Sequence, residues 1–161
     1  LYFAGRLVQQ TRNSEGLEAI IQDFFSVPTE VETFVGRWLN LPAGSDCKLG
    51  ASAATGTLGA SAIVGSRVWT CQQHFRLRLG PMKLTDYERL LPSGPSFQRL
   101  RDWVRQYAGE QYSWDAQMVL SKAEVPQTYL GRFGRLGWTT WLKTRPFDHD
   151  ADDLVLAPTI A

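Results

Sequence analysis

Phe75-Arg76-Leu77-Arg78-Leu79-Gly80-Pro81 is the stretch on which the fold turns. Apolar and basic residues alternate from Phe75 to Leu79, the period of a strand with one face in a core and the other in solvent. A helix would scatter Phe75, Leu77 and Leu79 around its circumference. The run therefore predicts a half-buried strand whose outer face is basic through Arg76 and Arg78. Gly80-Pro81 is expected to stop it.

Downstream, Leu84 to Leu91 reads as a short helix with Thr85-Asp86 near its start. Leu91-Pro92-Ser93-Gly94-Pro95 is a rigid turn. Ser96 is placed to cap a helix running to about Ala108, with Phe97, Leu100, Val104 and Tyr107 as its apolar stripe and Gly109 as its stop. Ser113 to Leu120 is a second strand, with Trp114, Ala116, Met118 and Leu120 on one face and Asp115, Gln117 and Val119 on the other. Gly131 to Gly134 marks a turn, and Leu136 to Leu142 reads as the last clear strand. The acidic segment that follows, with Asp148, Asp150, Asp152 and Asp153 ahead of Leu154-Val155-Leu156, is either a terminal strand after a loop or an unravelled end.

Upstream, Leu7 to Phe25 is helical, with Asn13 or Ser14 placed to cap a fresh start. Leu17, Ile20, Ile21, Phe24 and Phe25 share one face, and Pro28 ends the run. Glu30 to Leu39 is expected to be a strand closed by Trp38. Pro42 to Gly65 is rich in Gly, Ala, Ser and Thr, and is longer than the loops usual inside a compact domain. Such loops tend to carry function or to be disordered. Arg67 to Trp69 is a short extended run.

The order of elements recurs. A helix (16–25), a strand (31–39), a loop and Gly65-Ser66-Arg67-Val68-Trp69 are matched by a helix (97–107), a strand (112–120), a loop and Gly137-Trp138-Thr139-Thr140-Trp141. The fold class expected is α+β: two related helix–strand–loop–strand units, with small antiparallel sheets covered by helices. The boundaries are a first unit at 1–81 with its long loop at 42–63, a second at 82–145 with a loop at 123–135, and an acidic tail at 146–161.

Apolar residues make up 43% of the chain, enough for a core. Seventeen basic residues against sixteen acidic ones leave no net field to draw nucleic acid or an anionic membrane. No apolar run approaches the length of a membrane span, so no membrane insertion is expected. Leu1-Tyr2-Phe3 opens the chain without Met, so it is read as a piece of a longer protein. Two cysteines, Cys47 and Cys71, do not make a disulfide framework, although a single bridge stays open.

Chemistry leaves few candidates. Cys71-Gln72-Gln73-His74 is a Cys-x-x-His pair, but a structural zinc needs about four ligands and no second pair follows. His149 stands between Asp148 and Asp150 in a hydrated acidic loop. Gly131-Arg132-Phe133-Gly134-Arg135-Leu136-Gly137 is neither a dinucleotide fingerprint nor a phosphate loop. No Gly-x-Ser-x-Gly occurs. No catalytic residue, cofactor or metal is therefore expected, and the competing reading is a small cysteine- or metal-dependent hydrolase built on Cys71 and His74.

The residues suited to binding a partner are large ones near loops and strand ends. Six tryptophans serve either core or interface. Arg37, Trp38, Trp69, Trp138 and Trp141 lead the candidates, with Arg67, Arg76 and Arg78 as a basic face. Leu41, Leu49 and Leu58 are apolar points in or beside the first loop, and Tyr129, Arg132 and Phe133 lie in the second.

An ordered set of segments carries a family likeness. They are Tyr2-Phe3-Ala4-Gly5-Arg6-Leu7, Ser14-Glu15-Gly16-Leu17, Val35-Gly36-Arg37-Trp38 and Leu58-Gly59. Val64-Gly65-Ser66-Arg67-Val68-Trp69, Phe75 to Pro81, Tyr87 with Leu90-Leu91-Pro92, and Leu136-Gly137-Trp138-Thr139-Thr140-Trp141-Leu142 complete it. Together they resemble the C-terminal half of the TssG family (ImpH, VasB) of the bacterial type VI secretion baseplate. The resemblance implies a cytoplasmic wedge subunit in a baseplate docked to the inner-membrane complex. It implies two TssF-type subunits, a TssE-type subunit, TssK-type trimers and the VgrG spike hub as partners. It also implies protruding loops that dock on the TssK-type trimers. Assigning 42–63 and 123–135 to that role is an inference from loop length and position.

Overall fold

The structure, a computed structural model, describes residues 3–8, 11–44, 47, 56–129, 131 and 134–158. Two compact units are present, one formed by Leu1–Thr33 with Phe75–Ala161 and the other by Phe34–His74.

The first unit is built on β4 (His74–Met82), the strand predicted from its alternation. Phe75, Leu77 and Leu79 are buried, while Arg78 is exposed between them. The strand does not stop at Gly80-Pro81 but continues to Met82. Its neighbour supplies the reason: the Met82 carbonyl still accepts from Ser121 N, 3.0 Å away. That neighbour is β5 (Ser113–Leu120), at the boundaries expected. Ala116, Met118 and Leu120 join the core, and Asp115 and Val119 are buried as well, as befits an inner strand.

β1 (Thr29–Glu32) and β6 (Ala151–Leu156) complete a four-stranded sheet in the order β1-β4-β5-β6. β1 runs antiparallel to β4, and β6 antiparallel to β5. β4 and β5 run in the same direction, since Arg76 meets Asp115 near their starts and Met82 meets Ser121 at their ends. A parallel pair needs a long crossover. It is supplied by α3 (Leu84–Leu90) and α4 (Phe97–Ala108). The acidic tail thus ends in a strand.

The helices cover the apolar face. α1 (Ala4–Val8) precedes α2 (Ser14–Phe25), so the helix expected over Leu7 to Phe25 is interrupted. Asn13 makes the second start, its side chain accepting from Gly16 N at 3.0 Å. Leu17, Ile20 and Ile21 of α2 meet Leu100, Val104 and Tyr107 of α4 in one cluster with β4 and β5. Each fully buried aliphatic side chain of this kind stabilises the fold by about 1.5–3 kcal/mol. Tyr107 donates its hydroxyl to the Asn13 carbonyl at 3.1 Å, which ties the two helices end to end. Gly16 is required at that joint, because a Cβ there would collide with the Tyr107 hydroxyl. Ser96 flanks α4 but caps nothing with its side chain, which is buried.

Two expected strands are corrected. Glu30 to Leu39 is not continuous: β1 ends at Glu32, and Phe34 takes a left-handed φ of 60° that no strand accommodates. The chain then enters a separate sheet. Leu136 to Leu142 is turn and irregular chain rather than strand. Trp138 N and Thr139 N both donate to the Arg135 carbonyl, and the Thr139 hydroxyl accepts from Arg135 N at 2.8 Å. Local bonds close the turn, and β6 takes the place beside β5. The α+β class stands.

Candidate interaction surfaces

The second unit, Phe34–His74, is a hairpin with an enlarged loop. β2 (Arg37–Asn40) pairs antiparallel with β3 (Arg67–Thr70), Trp38 directly opposite Trp69 and Asn40 opposite Arg67. Alternation puts these four on one exposed face, and Leu39 and Val68 on the other. The two indoles meet edge to face, centroids 5.3 Å apart and planes inclined by 67°. They nevertheless keep 59% and 55% of their surface in solvent. Gly36 admits the edge of Trp69, where a Cβ would collide.

The loop is closed at its base by Leu41 N donating to the Ser66 carbonyl at 2.9 Å. Along it, Ala60, Ser61 and Ala62 N–H groups converge on the Thr57 carbonyl. Leu58 and Val64 are almost wholly exposed. Leu41 and Arg37 are half-buried, and Arg67 is exposed. Leu49 and most of 45–55 lie outside the described residues.

The first unit carries a second clasped loop. The Thr128 hydroxyl donates to the Trp141 carbonyl at 3.0 Å and accepts from Trp141 N at 3.1 Å. The clasp begins inside the loop expected at 123–135 and closes beyond it, at Trp141. Lys143 Nζ reinforces the base by donating to the Val125 carbonyl at 2.8 Å. Trp138 and Trp141 pack against the core, so they anchor the loop instead of facing outward. Tyr87 of α3 donates to the Trp138 carbonyl at 3.1 Å and lies edge to face with Trp141. Trp141 Nε1 donates to Asp153 of β6 at 2.9 Å. Arg135 lies over the Trp138 ring. Tyr129 is exposed, while Arg132 and Phe133 lie outside the described residues.

Sequence reading missed Leu136 and Leu142, the most exposed large apolar side chains of this segment at 95% and 97%. Their pattern suggested a strand, and they were not singled out. Phe34 was missed for the same reason.

Burial pushes the Tyr87 phenol up from its ordinary value, and the nearby Asp153 carboxylate adds to the shift. A phenol held protonated in the native state gives stability that is intact below the unfolded value of about 10 and is lost above it. Stability should therefore fall as pH rises past about 10, because the unfolded chain ionises first. Tyr87→Phe is expected to flatten that alkaline limb. At neutral pH it should cost about 1–2 kcal/mol by leaving the Trp138 carbonyl without its donor. Urea denaturation of both chains across the alkaline range checks it, and identical alkaline slopes would refute it.

The basic face is neutralised. Arg76 holds Asp115 through two parallel bonds of 2.6 and 3.0 Å, and Arg78 lies 3.8 Å from Asp152. The Asp115 bond keeps the Arg76 guanidinium charged. Both acids come from strands far along the chain, so the sequence pattern around Arg76 did not announce them.

Cys71 and Cys47 are free thiols. Cys71 is exposed where the chain turns from β3 to β4, whereas His74 is buried at the start of β4. Among the described residues, no group of three or more His, Cys, Asp or Glu side chains is placed to hold a metal ion. No described helix is long and apolar enough to cross a membrane.

The family model described as type VI secretion, TssG, matches residues 1–143. The chain belongs to the TssG family. A chain of the type VI secretion system TssK-TssF-TssG baseplate subcomplex shares the fold at a TM-score of 0.68 and 15% identity, over 93% of this chain and 62% of that one. A chain of the type VI secretion baseplate complex matches at a TM-score of 0.65 and 16% identity, over 97% and 45%. This chain therefore spans less than two thirds of either relative. No curated protein matches it.

Proposed function

We propose that the chain is a structural, non-catalytic wedge component of the type VI secretion baseplate. It binds two TssF-type subunits and a TssE-type subunit in the cytoplasm, near the VgrG spike hub, and docks TssK-type trimers through its two loops. Membership of the TssG family supports the setting. The observation that carries the loop assignment is that each loop is tied at its base, Leu41 to Ser66 and Thr128 to Trp141. A tied base holds a loop in register for docking, which lowers the ordering entropy of association. The two related helix–strand–loop–strand units draw support only from the helix–strand order α2-β1 and α4-β5, since 137–141, expected to close the second unit, is turn and irregular chain.

The hot-spot candidates are Trp38, Trp69 and Arg67 on the β2–β3 hairpin, Leu58 on its loop, Tyr129 and Leu136 on the second loop, and Leu142 just beyond its clasp. Arg132, Phe133 and Leu49 remain candidates by sequence, and Arg37, Leu41, Trp138 and Trp141 act as supports beneath them. Arg76 is bonded to Asp115, while Arg78, exposed and 3.8 Å from Asp152, stays among the candidates. The test is co-purification with TssF-type and TssK-type partners. Trp38→Ala with Trp69→Ala should weaken capture of the TssK-type trimer at least about tenfold, as loss of a hot-spot pair does. Capture of the TssF-type subunit should be retained. Undiminished TssK capture by the double variant, or failure of the parent chain to capture either partner, would sink the assignment.

A further inference from the structure

We propose that Glu18 is a guard that keeps the β1 edge closed to strand addition by a second copy of this chain. β1 is the outermost strand of the four-stranded sheet. Main-chain groups alternate in direction along an antiparallel pair. Gly80 N donates to the Pro28 carbonyl at 2.8 Å, so Pro28, Glu30 and Glu32 face β4 and Thr29 and Val31 face outward. An outward N–H on an edge strand is a template for another strand. The Val31 N–H is already taken: Glu18 Oε1 accepts from it at 2.9 Å, reaching across from α2. The helix that carries Glu18 is fixed beside β1 by its buried neighbours Leu17, Ile20 and Ile21.

The strand carries a second deterrent on a different set of atoms. Glu30 and Glu32 are exposed; Arg78, opposite Glu30, lies 3.8 Å from Asp152, and Arg76, opposite Glu32, is bonded to Asp115 and shares its charge between Asp115 and Glu32. Like charges facing one another across a pair of strands are destabilising. A second copy is the occupant because identical edges close on each other about a two-fold axis, the commonest symmetry of soluble oligomers. Glu18 takes the Val31 N–H, one of the two outward N–H groups of β1, and Glu30 and Glu32 repel the face of that copy.

Three variants separate the two deterrents: Glu30→Thr/Glu32→Thr, the same pair with Glu18→Ala, and Glu18→Ala alone. Sedimentation velocity over a concentration series reads association, and amide exchange reads the Val31 N–H. The pair variant is expected to keep the association behaviour of the parent chain. The triple variant should self-associate with an apparent Kd at least about tenfold tighter. In Glu18→Ala, Val31 should exchange about tenfold faster, as befits loss of one hydrogen bond, with the amides of β4 still protected. Glu18→Gln retains an oxygen acceptor and should match the parent. Equal association of the pair and triple variants, parental behaviour of the triple variant, or unchanged Val31 exchange would each overturn the proposal. Loss of β4 protection in Glu18→Ala would also overturn it, since Glu18 would then be supporting the sheet and not guarding its edge.

Discussion

Replacing Gly80 with alanine is expected to destabilise the chain by about 3 kcal/mol and to lower its Tm by roughly 6–12 °C. Two effects combine. Gly80 has a φ of 124°, a region in which residues with a Cβ are strained by about 1–3 kcal/mol. A Cβ there would also collide with the Val119 carbonyl oxygen of β5, a backbone atom that cannot rotate away. Relief would require β4 and β5 to separate where Met82 and Ser121 are bonded. Gly109 provides the control. It follows α4 at a φ of 81°, and a Cβ there meets nothing. With ψ at −172° it too sits where glycine is strongly favoured, so Gly109→Ala should cost only the backbone strain, about 1–3 kcal/mol, and less than Gly80→Ala. Urea or thermal denaturation of both variants separates the steric part from the conformational part. Equal losses at the two positions would show that the close approach to Val119 has no energetic weight.

The inner strands were legible because their signals are local. Phe75 to Leu79 alternates, so that strand was found although its end at Met82 was not, and Ser113 to Leu120 combines alternation with clear flanks and was read to the residue. α2 and α4 were legible from their apolar stripes, and Asn13 from its chemistry as a cap. What was illegible depends on residues distant in sequence. Thr139-Thr140-Trp141 has the composition of a strand, yet Tyr87 holds the neighbouring Trp138 carbonyl and Thr128 holds Trp141. Those contacts outweigh a propensity worth at most about 1 kcal/mol. β6 begins with aspartates, which argues against a strand until Arg78 and Trp141 are seen to engage Asp152 and Asp153. The break at Phe34 is the hardest to foresee, because a phenylalanine with positive φ has no signature of its own.

The candidate site divides in the same way. The enlarged first loop and Trp38 and Trp69 were found from composition and from the position of the tryptophans, and these two indoles are exposed. Trp138 and Trp141 had the same credentials in sequence, yet they are loop anchors. Burial separates the two pairs, and burial is set by which elements surround them. The first pair sits on the outer face of a two-stranded hairpin. The second lies against Tyr87 and β6.

Asp115→Ala is expected to cost about 2–3 kcal/mol, because it strands the Arg76 guanidinium in a partly buried setting. Breaking a fully buried pair costs about 3–5 kcal/mol, and the 26% and 12% exposure of these two side chains lowers that figure through solvent screening. The geometry is nearly ideal, with two parallel bonds between fork and carboxylate. Asp115→Asn should fall between Ala and the parent, since it keeps one acceptor but removes the charge. Arg76→Met with Asp115→Leu should recover most of the loss, because replacing both partners leaves no uncompensated charge. A double variant no more stable than Asp115→Ala would show that Asp115 acts through other contacts than Arg76. The pair also has a functional reach. It joins β4 to β5, the parallel strands at the centre of the sheet, and β5 pairs with β6, whose Asp153 holds Trp141 at the base of the second loop. On the proposed docking role, capture of a TssK-type partner should therefore fall near the Tm of Asp115→Ala although no loop residue has changed. It should return in the Arg76→Met/Asp115→Leu chain, whose sheet is restored without either charge.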